Sequence, residues 1–434
     1  MATKNSYKEI ILPNKLKILL YKMDSVLSTH AVLFVRAGAI YEKEKERGVS
    51  HFTEHMAFLG TKKHISPLAI SQEGQRIGAW YNAWTNRFST RYEIALPYTN
   101  IKKGLDFLHQ LAFKPLIEEN QVKKEKGVIL SEFNDFWHNP DRKFYHEAWR
   151  KRFKTKEHPY SYRSLGIPET IKAIEKKDII SWRKKYYNPA NMILSLAGNI
   201  KGKTLLESIK DNFAKTDKEV KRKEPKFSTK DYSSFSLYYQ KEERPQITFS
   251  ISFPLFGWRE IERIKRLKIA LLNNIFGASW SSRLFQRVRE KERLVYRIKS
   301  YINLHPWMGA FIIEGSVPIE KLIPAMQAIR EEIDKLIKNG VTDKEINLSR
   351  NHMNSSTLMK FDDPESIVYF FCSQVFDDKK VWYPETYIEK AKKINKVDLD
   401  ELAKNIFDYS KINISLMGKI TNKTLEEAKN IFRH

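Results

Sequence analysis

A single cysteine, Cys372, stands in 434 residues. One thiol excludes an internal disulfide framework; a reducing, cytoplasmic setting is expected, with Cys372 as a free thiol in the core. No apolar run reaches the ~18 to 20 residues that a membrane-spanning helix needs. The opening stretch Met1-Ala2-Thr3-Lys4-Asn5-Ser6-Tyr7-Lys8-Glu9 has no apolar region of the kind a secretory signal carries. Acidic residues are in short supply: 77 Lys and Arg stand against 52 Asp and Glu, a net charge of +25. Such an excess attracts nucleic acid, anionic membranes and acidic polypeptides. Yet the lysines are spread along the chain beside glutamates, and neither an arginine-rich tail nor a recognised nucleic-acid module is present. A general solubility bias accounts for the charge better than a dedicated polyanion site, and a nucleic-acid-binding protein is the remote alternative.

What is present is enough for more than one domain. The chain exceeds one comfortable core, its 41% apolar residues can fill large interiors, and its 30% charged residues suit a solvated surface. A repeat shows how it is divided. Ile174 to Ile200 aligns without a gap to Ile394 to Ile420, with Asp178 matching Asp398 at a helix start and Gly198 matching Gly418 after a strand. A period of 220 residues, half the chain, means two related α+β domains and not a solenoid. The expected division is an N-terminal domain over residues 1–214, a linker over 215–234 rich in Lys, Glu, Ser and Thr, and a C-terminal domain over 235–434. Local patterns predict strands at Ile10–Leu12, Leu16–Tyr21, Ala31–Val35, Trp80–Trp84 and Thr90–Leu96. Helices are predicted over Pro67–Ile77 and over about 100–114, 118–137, 141–152 and 170–187, the last leading into a strand at Met192–Ala197.

The chemistry is concentrated in Gly48-Val49-Ser50-His51-Phe52-Thr53-Glu54-His55-Met56-Ala57-Phe58-Leu59-Gly60-Thr61. On a helix, His51 and His55 lie one above the other, so both imidazoles can donate to one Zn²⁺. Glu54 falls at the edge of that face, placed to act as a base on a water at the metal. Met56 to Leu59 are expected to continue an apolar helix that Gly60-Thr61 ends. A catalytic zinc takes three protein ligands and leaves one position open. The best place for the third is Glu125 to Glu132, two carboxylates two turns apart on one helix face, of which one could bind metal and the other support a ligand.

Taken together, the stretch from Gly48 to Thr61, then Asn82-Ala83-Trp84-Thr85, then Glu125 to Glu132, resembles the pitrilysin (insulinase) superfamily of zinc peptidases, the inverted His-x-x-Glu-His type. In length the chain is closest to the bacterial relatives of mitochondrial processing peptidase. The resemblance implies an α+β fold of two homologous domains, each a mixed, largely antiparallel sheet packed against helices. It implies His51, His55 and Glu132 as zinc ligands, Glu54 as the base and Glu125 as support behind a ligand. Asn82 and Ala83 would pair with an extended peptide by strand addition. The second half has no His-x-x-Glu-His, and its region Leu271 to Tyr296 holds instead Arg289 and Tyr296, whose family counterparts hydrogen-bond the substrate and the oxyanion.

The implied activity is zinc-dependent endoproteolysis of peptides or unfolded segments, in a homodimer or a heterodimer with a related chain. Members that cleave presequences carry acidic residues some two to four helical turns beyond the third ligand; here the nearby positions include Arg142, Lys143 and His146, and Asp141 would substitute only if the alignment shifts by a residue. A preference for arginine-containing presequences is therefore not expected. The runner-up is a non-catalytic or partner subunit of a peptidase pair or larger complex.

Overall fold

The repeat seen in sequence is a repeat of structure. The computed structural model describes residues 6–155, 157–200, 203–214, 225, 227–376 and 380–433. The helix Lys176–Tyr186 has its counterpart in Lys396–Ile406, the turn Pro189–Asn191 in Tyr409–Lys411, and the strand Met192–Gly198 in Asn413–Gly418. Glu175 with Asp178, and Asn395 with Asp398, form reciprocal caps that start the two helices. Both strands run into a glycine of positive φ, +133° at Gly198 and +147° at Gly418. At Gly198 a Cβ would lie 2.4 Å from the Ser28 carbonyl oxygen, so only glycine fits that turn.

Chain contacts divide the protein into two compact units. The first lies within Met1–Phe136, Tyr162–Pro225 and Leu358–Tyr383. Its six-stranded sheet is formed by β1 (Tyr7–Ile11), β2 (Lys17–Lys22), β3 (Ser28–Val35), β4 (Trp80–Thr85), β5 (Thr90–Pro97) and β6 (Met192–Gly198), in the order β1-β2-β6-β3-β5-β4. Only β2 and β6 run parallel; every other pairing is antiparallel. The helix Pro364–Val375 lies on β2, β3 and β6. Ile367, Val368, Phe371, Cys372 and Val375 of this helix meet Leu19, Tyr21, Val32, Phe34 and Ile193 in one buried cluster, and Cys372 is a free, buried thiol.

The second unit lies within Trp137–Ser161, Lys226–Thr357 and Pro384–His434. Its strands β7 (Ser236–Lys241), β8 (Gln246–Phe256), β9 (Arg297–Leu304), β10 (Met308–Pro318) and β11 (Asn413–Gly418) are ordered β7-β11-β8-β10-β9. That is the order of the first sheet without β1, and again one pair, β7 with β11, is parallel. A large core fills it, with Phe249, Phe253, Phe276 and Phe311 fully buried. The helix Pro140–Arg150 packs on β7 and β11. Each unit thus takes a helix from the other half of the chain. Of the expected linker 215–234, residues 215–224 and 226 lie outside those described.

Two helices are shorter than the sequence patterns predict. The stretch 170–187 is two helices, Pro168–Ala173 and Lys176–Tyr186, because Glu175 adopts extended backbone to cap the second. The motif helix ends at Met56 and not at Leu59, and Ala57 to Leu59 make a turn that leads to Gly60, whose φ is +155°.

Candidate metal centre

Two helices of the first unit carry the site. The shorter, α1 (Val49–Met56), has eight residues and buries Val49, Phe52 and Met56 against the helix Lys176–Tyr186 and the strands β4 and β5. Gly48 before it sits at φ +95° and has no side chain to cap the exposed N–H groups. Glu42 does so from six residues upstream: its carboxylate accepts from the Gly48 amide and the Ser50 amide, each at 2.9 Å, and from the Ser50 hydroxyl at 2.5 Å. The longer helix, α2 (Glu119–His138), anchors itself through buried Val122, Ile129 and Phe136. Glu125 and Glu132 therefore project from one face, two turns apart.

The structure brings His51, His55 and Glu132 together. His51 Nε2 and His55 Nε2 lie 3.3 Å apart. Glu132 Oε2 is 3.5 Å from His55 Nε2 and 3.8 Å from His51 Nε2. Ligands held 2.0 to 2.2 Å from a tetrahedral zinc are separated by about 3.3 to 3.6 Å; two of the three separations fall in that range and the third, 3.8 Å, exceeds it by about 0.2 Å. Glu125 sits behind His55, its Oε1 2.7 Å from Nδ1. That contact fixes the tautomer that presents Nε2 to an ion, the arrangement in which a carboxylate supports a metal-binding imidazole. Two imidazoles and a carboxylate suit zinc among the common divalent ions.

Without a cation the charges are unbalanced. Burial works against a proton on His55, but hydrogen bonds to Glu125 and Glu132 and the charge of Glu54 overcome it and push its pKa up to about 10. Burial and the neighbouring His55 push His51 down to about 3. Of the two imidazoles, His55 is the one that favours a proton. The hydrogen bond from His55 keeps the Glu132 carboxyl below its ordinary range. Three carboxylates around two imidazoles ask for positive charge at the place where the Nε2 atoms converge.

Glu54 lies beside this triangle and is almost wholly buried. Burial raises its pKa, while the charge of His55 and hydrogen bonding from the hydroxyl and amide of Thr85 draw it back. Thr85 ends β4. Asn82 and Ala83 lie on the same strand, which among the described residues pairs only with β5 and forms the edge of the sheet. Arg289 and Tyr296 belong to the second unit. The Arg289 guanidinium carbon is 5.9 Å from the Tyr296 ring centre, and Tyr296 is 77% exposed. Asp141 binds Arg244 at 2.9 Å, an ion pair within the second unit. Sequence reasoning missed two residues, Glu42 and Thr85. Thr85 was within reach, as the last residue of Asn82-Ala83-Trp84-Thr85; Glu42 had no local signal, because no capping pattern spans six residues.

Comparison with known proteins bears on the family and the fold. Residues 18–159 match the family described as Insulinase (Peptidase family M16), and residues 173–353 match the family's domain described as Peptidase M16 inactive domain. An uncharacterized zinc protease of Rickettsia felis is 31% identical over 348 residues, 80% of this chain and 82% of that protein. The chain belongs to the M16, or insulinase, peptidase family. Another member of the family, a probable mitochondrial-processing peptidase subunit beta of Arabidopsis thaliana, is 24% identical over 82% of this chain and 68% of its own. Among solved structures, a protease from Helicobacter pylori superposes with a TM-score of 0.84 at 18% identity, covering 95% of this chain and 99% of that one. The first half of the periplasmic protease PqqL from Escherichia coli gives 0.82 at 17% identity, covering 100% and 97%. At these identities the structures speak to fold alone. Among the described residues no helix is long and apolar enough to cross a membrane.

Proposed function

We propose that this M16 family member is a zinc-dependent endopeptidase acting on peptides or unfolded polypeptide segments held in extended form. The observation that carries the reading is the donor triangle of 3.3, 3.5 and 3.8 Å with Glu54 buried next to it. His51, His55 and Glu132 would hold the ion, and Glu125 keeps His55 aimed. Bound zinc supplies a Lewis acid and brings a water within reach of deprotonation near neutral pH. Glu54 takes the proton of the attacking water and delivers it to the departing amine. Asn82 and Ala83 offer the unpaired edge of β4 to an extended peptide, whose main chain pairs with little regard to sequence. Arg289 and Tyr296 keep the substrate-binding role that the family resemblance gives them. The protein works as a homodimer or a heterodimer in the cytoplasm.

A second reading, a non-catalytic partner in a peptidase pair, is favoured by the name of the domain matched over 173–353 and by the relatives named as subunits. One experiment separates the two: digestion of a mixed peptide library by wild type and Glu54→Gln, read by mass spectrometry, with metal analysis of both and of His51→Ala. About one zinc per chain is expected in wild type and Glu54→Gln and none in His51→Ala, with cleavage reduced at least ~10²-fold in Glu54→Gln. Equal cleavage by wild type and Glu54→Gln, or none by zinc-loaded wild type, rejects the peptidase reading.

A further inference from the structure

The helix Lys176–Tyr186 packs on α1, and one of its faces is not built as a core. Asp178, Ser181, Trp182 and Lys185 recur at i, i+3, i+4 and i+7, so they share one side of the helix. With Lys45, Glu46 and Val49, and with Ile174 at the break before the helix, they line a cavity of about 290 Å³ within the first unit. A helix face that served packing alone would present apolar side chains. Here a carboxylate, a hydroxyl, an indole and an ammonium group border the space.

The lining offers three kinds of contact. Trp182 is buried, 4% exposed, with its ring 4.2 Å from that of Tyr186, and among the described residues its Nε1–H has no hydrogen-bond partner. A buried donor without an acceptor is costly, so an acceptor in the cavity gains that bond. Val49 and Ile174, both buried, add an apolar wall to the indole. The lining also holds two carboxylates and two ammonium groups. Glu46 uses one oxygen on the Lys43 amide at 3.1 Å, and Asp178 one on the Glu175 amide at 2.9 Å. The Lys185 Nζ lies 4.7 Å from the Tyr186 ring centre. A ligand of one charge would leave half of these groups unmatched; one that carries both signs matches them all.

We propose that this cavity is a binding site for a small apolar zwitterion, an amino acid or a dipeptide. Its carboxylate takes the Trp182 Nε1–H and the ammonium groups of Lys45 and Lys185, its ammonium group faces Glu46 and Asp178, and its side chains lie on Val49 and Ile174. None of these residues is a metal ligand or the base, so the site does not depend on the peptidase reading. It adjoins the metal centre all the same, because Val49 is the first residue of the helix that carries His51 and His55.

The test uses full-length, zinc-loaded Glu54→Gln, so that the dipeptide persists, with 5-fluorotryptophan at its nine tryptophans. The fluorine signal absent from the same protein carrying Trp182→Phe is that of Trp182. Leu-Leu should shift this signal saturably, with half-saturation below about 1 mM. N-acetyl-Leu-Leu, which has no ammonium group, and Leu-Leu amide, which has no carboxylate, should each bind about tenfold or more weakly. Calorimetry on unlabelled protein, which needs no signal assignment, should show Leu-Leu affinity about tenfold lower in Trp182→Phe and lost in Ser181→Trp, which fills the cavity from an exposed position. The second variant decides the matter where the first does not fold. The proposal is overturned if the Trp182 signal stays still up to about 10 mM Leu-Leu, if either capped dipeptide binds as tightly as Leu-Leu, if Ser181→Trp binds Leu-Leu undiminished, or if only other tryptophans respond, which places the dipeptide elsewhere, such as along β4 beside Trp80 and Trp84.

Discussion

Glu42 sets two opposite forces against each other, and a pH series on one variant measures which prevails. Its carboxylate accepts three hydrogen bonds at the N-terminus of α1, an arrangement that favours the ionised form. It is also fully enclosed, and burial outweighs the hydrogen bonds from Ser50 and Gly48 and the charge of Arg47, pushing its pKa up to about 7. An unfolded chain would release this proton near pH 4.5, so the difference of roughly 2.5 units corresponds to about 3 kcal/mol. The folded protein binds the proton more tightly than the unfolded one. Stability from this group is therefore complete below pH 4.5 and is lost as pH rises to about 7 and beyond. Glu42→Gln cannot titrate, so the stability of wild type relative to the variant should fall by about 3 kcal/mol between pH 4.5 and pH 8. Urea unfolding of metal-free protein, followed by tryptophan fluorescence at each pH, gives the difference, and other titrations cancel between the two proteins. A difference that is flat within about 0.5 kcal/mol, or that grows in favour of wild type with rising pH, would show that the three donors and the helix end win over burial, and refutes the reasoning.

Other outcomes follow from features of the same unit. Glu125→Gln weakens the acceptor that orients His55, and zinc affinity should fall about 10- to 100-fold in competition with a chromophoric chelator; unchanged affinity would mean that the 2.7 Å contact does not aim the ligand. Gly198→Ala places a Cβ 2.4 Å from the Ser28 oxygen at φ +133°, and should cost about 2 kcal/mol or more in thermal unfolding; a melting temperature equal to wild type would show that the turn can shift.

The parts of the molecule legible in sequence were those governed by local rules. The spacing of His51 and His55 fixed their shared face, and the seven residues from Glu125 to Glu132 placed two carboxylates on another, because helical geometry alone decides both. The long repeat was equally readable: caps at Asp178 and Asp398 and glycines 198 and 418 recur for backbone reasons and survive divergence of the side chains between them. Less legible was anything set by tertiary choice. A helix was predicted over 141–152, where Pro140–Arg150 is found, and none was predicted over Pro364–Val375; nothing in either segment says which sheet it will cover. The break at Glu175 was missed because a run of Lys, Asp and Ile suits one long helix as well as two. Glu42 was invisible because its partners lie six and eight residues along the chain, outside any capping pattern, and meet it only once the turn at Gly48 is made.

The exchange of helices has a consequence for how the protein is made. The interior beneath β2, β3 and β6 is closed by Ile367, Val368, Phe371 and Val375, which come late in the chain. A ribosome delivering this chain must therefore expose that face of the sheet, still unroofed, until well over four-fifths of the polypeptide has emerged. Premature termination, or proteolytic nicking before that point, yields a product with an open apolar floor in place of a closed core.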